Sequence, residues 1–203
     1  EFRRVLFRSA ARPAGTASDS APVAGVAPVA DVVPKSMGAS NEPIGATRRG
    51  YGSDPTTVGE KVSAVVKGYT NSRVATSVKH FPNLGNVRGN TDTTKRVVDT
   101  VTGPDSSVLT AFSAGIEAGA SSVMVSNAVY EKIDPDHPAT FSPAVMKLLR
   151  QTMGFDGVIV SDDLGVAAAV SQVASAQRGV TFLAAGGDLV IDADPSTAAS
   201  MVK

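Results

Sequence analysis

The feature that most constrains this chain is an alternation: short valine-rich runs recur along it, separated by longer stretches with helical spacing. The runs are Val26 to Val29, Val74 to Val78, Ser122 to Val125, Val158 to Val160 and Asp188 to Ile191, and they are apolar almost throughout. A strand that is apolar on both of its faces must be covered on both, which is the condition inside a parallel sheet flanked by helices. Strands that alternate with helices over a few tens of residues are βαβ units.

The intervening segments carry helix punctuation. Asp54 followed by Pro55 combines an N-cap side chain with proline at the first helical position, and Val58, Val62, Val65 and Val66 then share one face. Ser142-Pro143 repeats that start, with Val145, Met146, Leu148, Leu149 and Met153 as the apolar stripe and Gly154 where a left-handed end is wanted. A third helix is predicted from Pro104 to about Ala118, with Val108, Leu109, Phe112 and Ile116 inward and Gly119 ending it. Two more are predicted from Val166 to Ala184 and from Pro195 onward. The fold class is α/β in one domain. The units fall short of the eight that close a (β/α)8 barrel of about 250 residues. Periodicity alone leaves an open doubly wound sheet and an incomplete barrel as alternatives.

Composition narrows the function. Nineteen basic against nineteen acidic residues give no overall field to attract nucleic acid or an anionic membrane surface, so a neutral small molecule fits better. No apolar run approaches the roughly 20 residues of a membrane span. Without cysteine the 203-residue chain has no disulfides or thiolate metal sites, although this assigns no compartment. No cluster of His, Asp and Glu has metal-ligand spacing, and no glycine-rich loop opens a helix to hold phosphate, so neither metal nor cofactor is expected. Gly186-Gly187 suits close packing instead. Residues Glu1 to Ser9 are basic, fit no element and resemble translated adapter sequence. With the Ala/Ser/Pro-rich stretch to Ala21 they form a lead-in over 1–21 expected to be non-native or disordered, ahead of a domain over 22–203.

Two segments carry chemistry. In Gly157-Val158-Ile159-Val160-Ser161-Asp162-Asp163-Leu164-Gly165 a hydrophobic strand runs into two adjacent acids, and the carboxyl ends of barrel strands are where catalytic side chains converge. Alternation turns the two acids different ways, and capping of the next helix accounts for either one equally well. In Lys79-His80-Phe81-Pro82 a cation and an imidazole follow a strand, able to hold sugar hydroxyls or a carboxylate. His137, in a proline-bounded loop, reads as structural.

These two segments resemble the signature blocks of glycoside hydrolase family 3, in the branch of bacterial β-N-acetylglucosaminidases. Supporting blocks stand in the same order: Ala27-Pro28-Val29-Ala30-Asp31-Val32, Arg49-Gly50-Tyr51-Gly52-Ser53-Asp54-Pro55, Met124-Val125-Ser126-Asn127, Pro138-Ala139-Thr140-Phe141-Ser142-Pro143 and Ala185-Gly186-Gly187-Asp188. The resemblance implies an incomplete TIM barrel that lacks its first strands, from a monomeric retaining glycosidase of terminal β-linked N-acetylglucosamine, as in cell-wall fragments. It gives Asp162 the role of nucleophile, and Arg49, Lys79, His80 and Asn127 that of substrate binding, with Lys79 keeping Asp162 ionised.

The chain departs from the family pattern at the acid/base. Thr94 stands where that branch carries its histidine, and a threonine hydroxyl does not titrate near neutral pH. Asp92 is the candidate replacement, against the alternative of a solvated loop acid. Asn83 replaces a glycine and is expected to disturb the backbone beside His80 if that position needs a positive φ. A non-catalytic sugar-binding relative and a β-glucosidase are the competing functions. Strands and an acidic Asp-Gln-Glu-Gly-Gly block that the family places before Ala27 have no counterpart here, so open sheet edges and a marginal or aggregating polypeptide are expected.

Overall fold

The computed structural model describes residues 26–201. The lead-in expected over 1–21 lies outside the described residues. Helix α1, Pro55–Asn71, begins as the sequence predicts, with the Asp54 carboxylate accepting the Thr57 amide at 2.8 Å. Val58, Val62 and Val66 are fully buried, on a helix whose main partner is the next helix along the chain. Helix α2, Leu109–Glu117, starts later than expected, because Gly103 to Leu109 forms a turn in which the Ser106 hydroxyl accepts the Gly103 amide. Gly119 and Gly154 take the left-handed conformations predicted for helix ends, at φ 96° and 68°. Helix α3, Pro143–Lys147, is capped by Ser142 and runs on as a π-helical turn, Leu148–Thr152.

The principal sheet is parallel. It contains β1 (Ser77–Phe81), β3 (Ser122–Val125), β6 (Val158–Asp163) and β7 (Leu189–Ile191), in the order β1-β3-β6-β7. Val26 and Val29 pair in parallel with Thr76 and Lys79, so the first apolar run lies beside β1 through two isolated bridges. All five valine-rich runs thus join one parallel array, in chain order, as βαβ logic requires. Helices α1 and α2 pack on each other, and α2 lies over β1, where Phe112 meets Phe81 edge-on at a centroid distance of 5.3 Å. The aliphatic strand faces and helix stripes form one continuous core.

Other boundaries also differ from the sequence reading. β1 begins at Ser77, because Val74 is drawn into the turn that ends α1, its amide bonded to the Tyr69 carbonyl. β1 and β6 both extend through their polar ends, Lys79-His80 and Ser161-Asp162-Asp163, which hydrophobicity reads as loop. The helix expected from Val166 is replaced by a single turn, Ala168–Val170, followed by α4, Ser175–Ala185. Asp163 draws in the amides of Gly165, Val166 and Ala167, while Ala168 and Ala169 donate to the carbonyls of Asp92 and Thr91, so these groups are already committed outside a helix. Arg178 of α4, buried, closes the loop by donating to the carbonyls of Leu164, Gly165 and Val173. Helix α5, Pro195–Met201, follows β7. Gly187 lies against the Phe182 ring, where a Cβ would come within 2.1 Å of the ring, in keeping with packing.

A second, small sheet has no precursor in the sequence pattern. β2 (Val98–Asp99) pairs in parallel with β4 (Val129–Tyr130), which pairs antiparallel with β5 (Asp134–Pro138). No helix among the described residues is long and apolar enough to cross a membrane.

The long connection after β1 is held by Asn41. Its fully buried amide donates to the carbonyls of Leu84, Gly85 and Val87 and accepts the amides of Ile44 and Gly45. Removing this side chain strands several buried backbone groups, each costing about 1–3 kcal/mol. Asn41→Ala is therefore expected to lower urea stability by at least about 3 kcal/mol; a loss below about 1 kcal/mol would show that the loop is held by other means.

Candidate active site

The sheet register carries the chemistry-bearing residues to one rim. Val125 pairs with both Phe81 and Ser161, and Asp163 pairs with Ile191, so His80, Ser126 and Asp162 emerge at the carboxyl ends of adjacent strands. The peptide bonds Lys79–His80 and Phe81–Pro82 are both cis.

The two adjacent acids divide their work. Burial acts to raise the Asp163 carboxyl, but the backbone amides of Ala193, Val166, Gly165 and Ala167 outweigh it and hold the group below the usual carboxylate range. Asp163 is thus the cap and turn former of the pair. Asp162 accepts only the neighbouring Asp163 amide, at 2.9 Å, and takes no part in the turn. The residue keeps partial solvent exposure, yet protein crowds its carboxyl on most sides. Burial raises its pKa, the charges of His80 and Lys79 and the Asp163 amide oppose that rise, and Asp92 adds to it. These influences mark His80, Lys79 and Asp92 as the electrostatic surroundings of Asp162.

Lys79 is half-buried, and burial lowers its pKa, with the nearby Arg49 acting in the same direction. The carboxylates of Asp162 and Asp31 pull it back up. Arg49 itself is exposed, its Nε donating to the Pro43 carbonyl at 2.8 Å. Four of the sequence-predicted residues, Arg49, Lys79, His80 and Asp162, therefore share one electrostatic neighbourhood. Asp92 joins them from the loop after β1. It is exposed, and its backbone carbonyl is gripped by the Ala168 amide at 3.1 Å, which ties this loop to the turn after β6.

Asn127 follows β3 at the same rim and is enclosed. It is 1% exposed, and its amide donates to the Asp163 carbonyl at 2.8 Å, bracing the end of β6. Its Oδ1 has no hydrogen-bond partner among the described residues. Asn83 differs from expectation. The only non-glycine residues at positive φ among those described are Arg48 and Arg73, so Asn83 sits in ordinary backbone. Its Oδ1 accepts the Val32 amide at 2.8 Å, and its carbonyl accepts the Tyr130 hydroxyl. The substitution needs no positive φ beside His80, although the buried Asn83 Nδ2 finds no partner among the described residues. His137 is exposed and faces Asp134 on its own small sheet.

Residues that the sequence reading passed over complete the support. Asp31, fully buried, meets the His80 ring at 2.7 Å. Tyr130, also buried, bonds Ser126 and has its hydroxyl pKa pushed well above the usual value, first by desolvation. Asp31 had a signal of sorts, an acid directly after an apolar strand; Tyr130 and Arg178 had none. Among the described residues, no group of three or more His, Asp or Glu is arranged to hold a metal ion.

Comparison with known proteins identifies the family. The family model for the glycosyl hydrolase family 3 N-terminal domain matches residues 18–202. A β-hexosaminidase of Stenotrophomonas maltophilia is 37% identical over 174 residues, covering 83% of this chain and 49% of the relative. One from Xanthomonas oryzae pv. oryzae is 35% identical, covering 87% and 51%. The crystal structure of β-N-acetylhexosaminidase from Beutenbergia cavernae superposes with a TM-score of 0.84 at 48% identity, covering 87% of this chain and 53% of that one. A family 3 β-N-acetylglucosaminidase from a Paenibacillus species gives 0.77 at 26% identity, covering 86% and 33%. The chain spans about half the length of the curated relatives it matches. The parallel array is therefore part of a TIM-barrel-like α/β domain, and the chain belongs to glycosyl hydrolase family 3 through its N-terminal domain.

Proposed function

We propose that the chain carries the sugar-binding and nucleophilic machinery of a retaining glycosidase that removes terminal β-linked N-acetylglucosamine. The observation that carries this reading is the division between the two acids: Asp163 is consumed by four backbone amides, whereas Asp162 stands free of the turn and faces the charges of His80 and Lys79. A retaining mechanism needs one carboxylate to attack the anomeric carbon and a second group to protonate the departing oxygen. Asp162 supplies the first. Its desolvation makes it more nucleophilic, and the nearby Lys79 cation keeps enough of it ionised. Arg49, Lys79 and His80 hold the sugar hydroxyls. Asp92, on the loop clasped to Ala168, supplies the proton that Thr94 cannot, and then activates the water that releases the glycosyl group. The names of the relatives favour N-acetylglucosamine over glucose.

A second reading, a sugar-binding relative without turnover, draws on Thr94, whose hydroxyl lies close to Gly89 and has no acid/base chemistry. Rates on nitrophenyl β-N-acetylglucosaminide and β-glucoside decide between these readings. Release from the first substrate is expected to exceed release from the second. Binding of N-acetylglucosamine with no release from either would favour the second reading.

Asp162→Asn is expected to cut turnover by about 10⁴-fold or more, the scale on which members of a covalent catalytic set fail. Its melting temperature at neutral pH should hold or rise. The folded Asp162 pKa is raised, so the ionised carboxylate opposes folding at pH above that pKa, and the amide removes this cost. Wild-type turnover in this variant would remove Asp162 from the mechanism.

The pH profile has a defined sign as well. Activity should fall, as the medium is acidified, at a higher pH than an ordinary aspartate would give, because protonated Asp162 cannot attack. Lys79→Met removes a charge that lowers the Asp162 pKa and should move this acid limb further up. A limb that moves down, or stays put, would contradict the assignment.

A further inference from the structure

The carboxylate of Asp31 is fully enclosed at the end of the first apolar run, and every donor it meets comes from one short segment of β1 and its exit. Oδ1 accepts the Leu84 amide, while Oδ2 accepts the His80 amide at 3.2 Å and lies 2.7 Å from His80 Nδ1. A carboxylate in such a place must be satisfied by hydrogen bonds. Because it can only accept, the ring nitrogen facing it must carry the proton. His80 is 4% exposed, so its ring has little freedom to turn away. Nε2, the other nitrogen, has no protein hydrogen-bond partner among the described residues and is not among the enclosed, unpartnered atoms, so it is not sealed from solvent. The sheet register brings His80 and Asp162 to the same rim, and the two lie within electrostatic reach of each other.

We propose that Asp31 is the positioning residue of the site: it locks His80 in the Nδ1–H tautomer, so that Nε2 is presented with its lone pair free to accept a hydrogen bond from a substrate hydroxyl. Histidine orientation of this kind follows a general pattern, in which the hydrogen bond at one ring nitrogen decides what the other can do. The identity of the acceptor's partner as a sugar hydroxyl rests on the proposed function; the tautomer does not. The same carboxylate ties the ring to the loop after β1 through Leu84, so a shift of that loop would reach the sugar through His80.

The chain has two histidines, which makes the test direct. Two-bond ¹H–¹⁵N correlation spectra of the full chain, with His137→Asn used to assign His80, should show the neutral His80 ring protonated at Nδ1 and bare at Nε2. In Asp31→Asn, checked for an intact fold by its backbone amide spectrum, that single tautomer should give way to a mixture. On the β-glycoside that the wild type hydrolyses, kcat/KM should fall about 10–100-fold, as when an orienting carboxylate is lost, with KM rising more than kcat falls. A wild-type ring protonated at Nε2 would overturn the proposal even if Asp31→Asn failed to fold. So would an Asp31→Asn variant that keeps both tautomer and KM. A locked Nδ1–H tautomer in a chain that hydrolyses no glycoside would leave Asp31 as the positioning residue and defeat the glycosidase reading instead.

Discussion

Everything at this site depends on parallel strand pairing that continues beyond the apolar part of each strand. Ladder hydrogen bonding does not require hydrophobic side chains, so β1 and β6 keep their register through Lys79-His80 and Ser161-Asp162-Asp163. Pairing of Val125 with Phe81 on one side and Ser161 on the other fixes where these side chains emerge, to within the bulge in β1. The precision of the rim is therefore a backbone property. The side chains it carries are desolvated by the loops above them, which is why burial is the largest influence on both Asp162 and Lys79. Opposite charges then restrain each other's shifts: the cation keeps the acid usable, and the acid keeps the cation charged.

The loops above the rim obey a second constraint, that buried backbone groups must find partners. Asn41, Asn83, Asp31, Asp163 and Arg178 each bond backbone groups of loop segments, and together they fix three connections. The loop after β1 is further joined to the turn after β6 through Thr91 and Asp92, placing an acid from one connection near the acid of another strand. Rigid polar clasps of this kind suit a site whose groups must be held to a fraction of an ångström.

How much of this could be read from the chain depends on how local the cause is. Asp54-Pro55, Ser142-Pro143 and Gly154 act within a few residues of themselves, and the helix ends they predict are found where expected. The valine-rich runs also announce their strands, since a strand covered on both faces must be apolar. Polar strand ends are misread as loop because their side chains face a site instead of the core. The helix predicted from Val166 fails for a non-local reason: Asp92 and Thr91, far away in sequence, claim the amides of Ala168 and Ala169. The small sheet of β2, β4 and β5 is invisible for the same reason. Composition could not assign the separate roles of Asp162 and Asp163, because both are acids after a strand and only the turn distinguishes them. The site motifs were legible as a resemblance, although no local pattern foretold that the Asn127 amide would bond the Asp163 carbonyl.

The central claim is that Asp162 forms a covalent bond to the sugar. A fluorinated N-acetylglucosaminyl fluoride, which forms a glycosyl-enzyme quickly and releases it slowly, tests this by mass spectrometry of the digested protein. One N-acetylglucosamine-derived adduct on the peptide containing Asp162, absent from Asp162→Asn, is the predicted result. A stable adduct on Asp92 or Asp163, or rapid turnover of the probe with no adduct at all, would contradict the account.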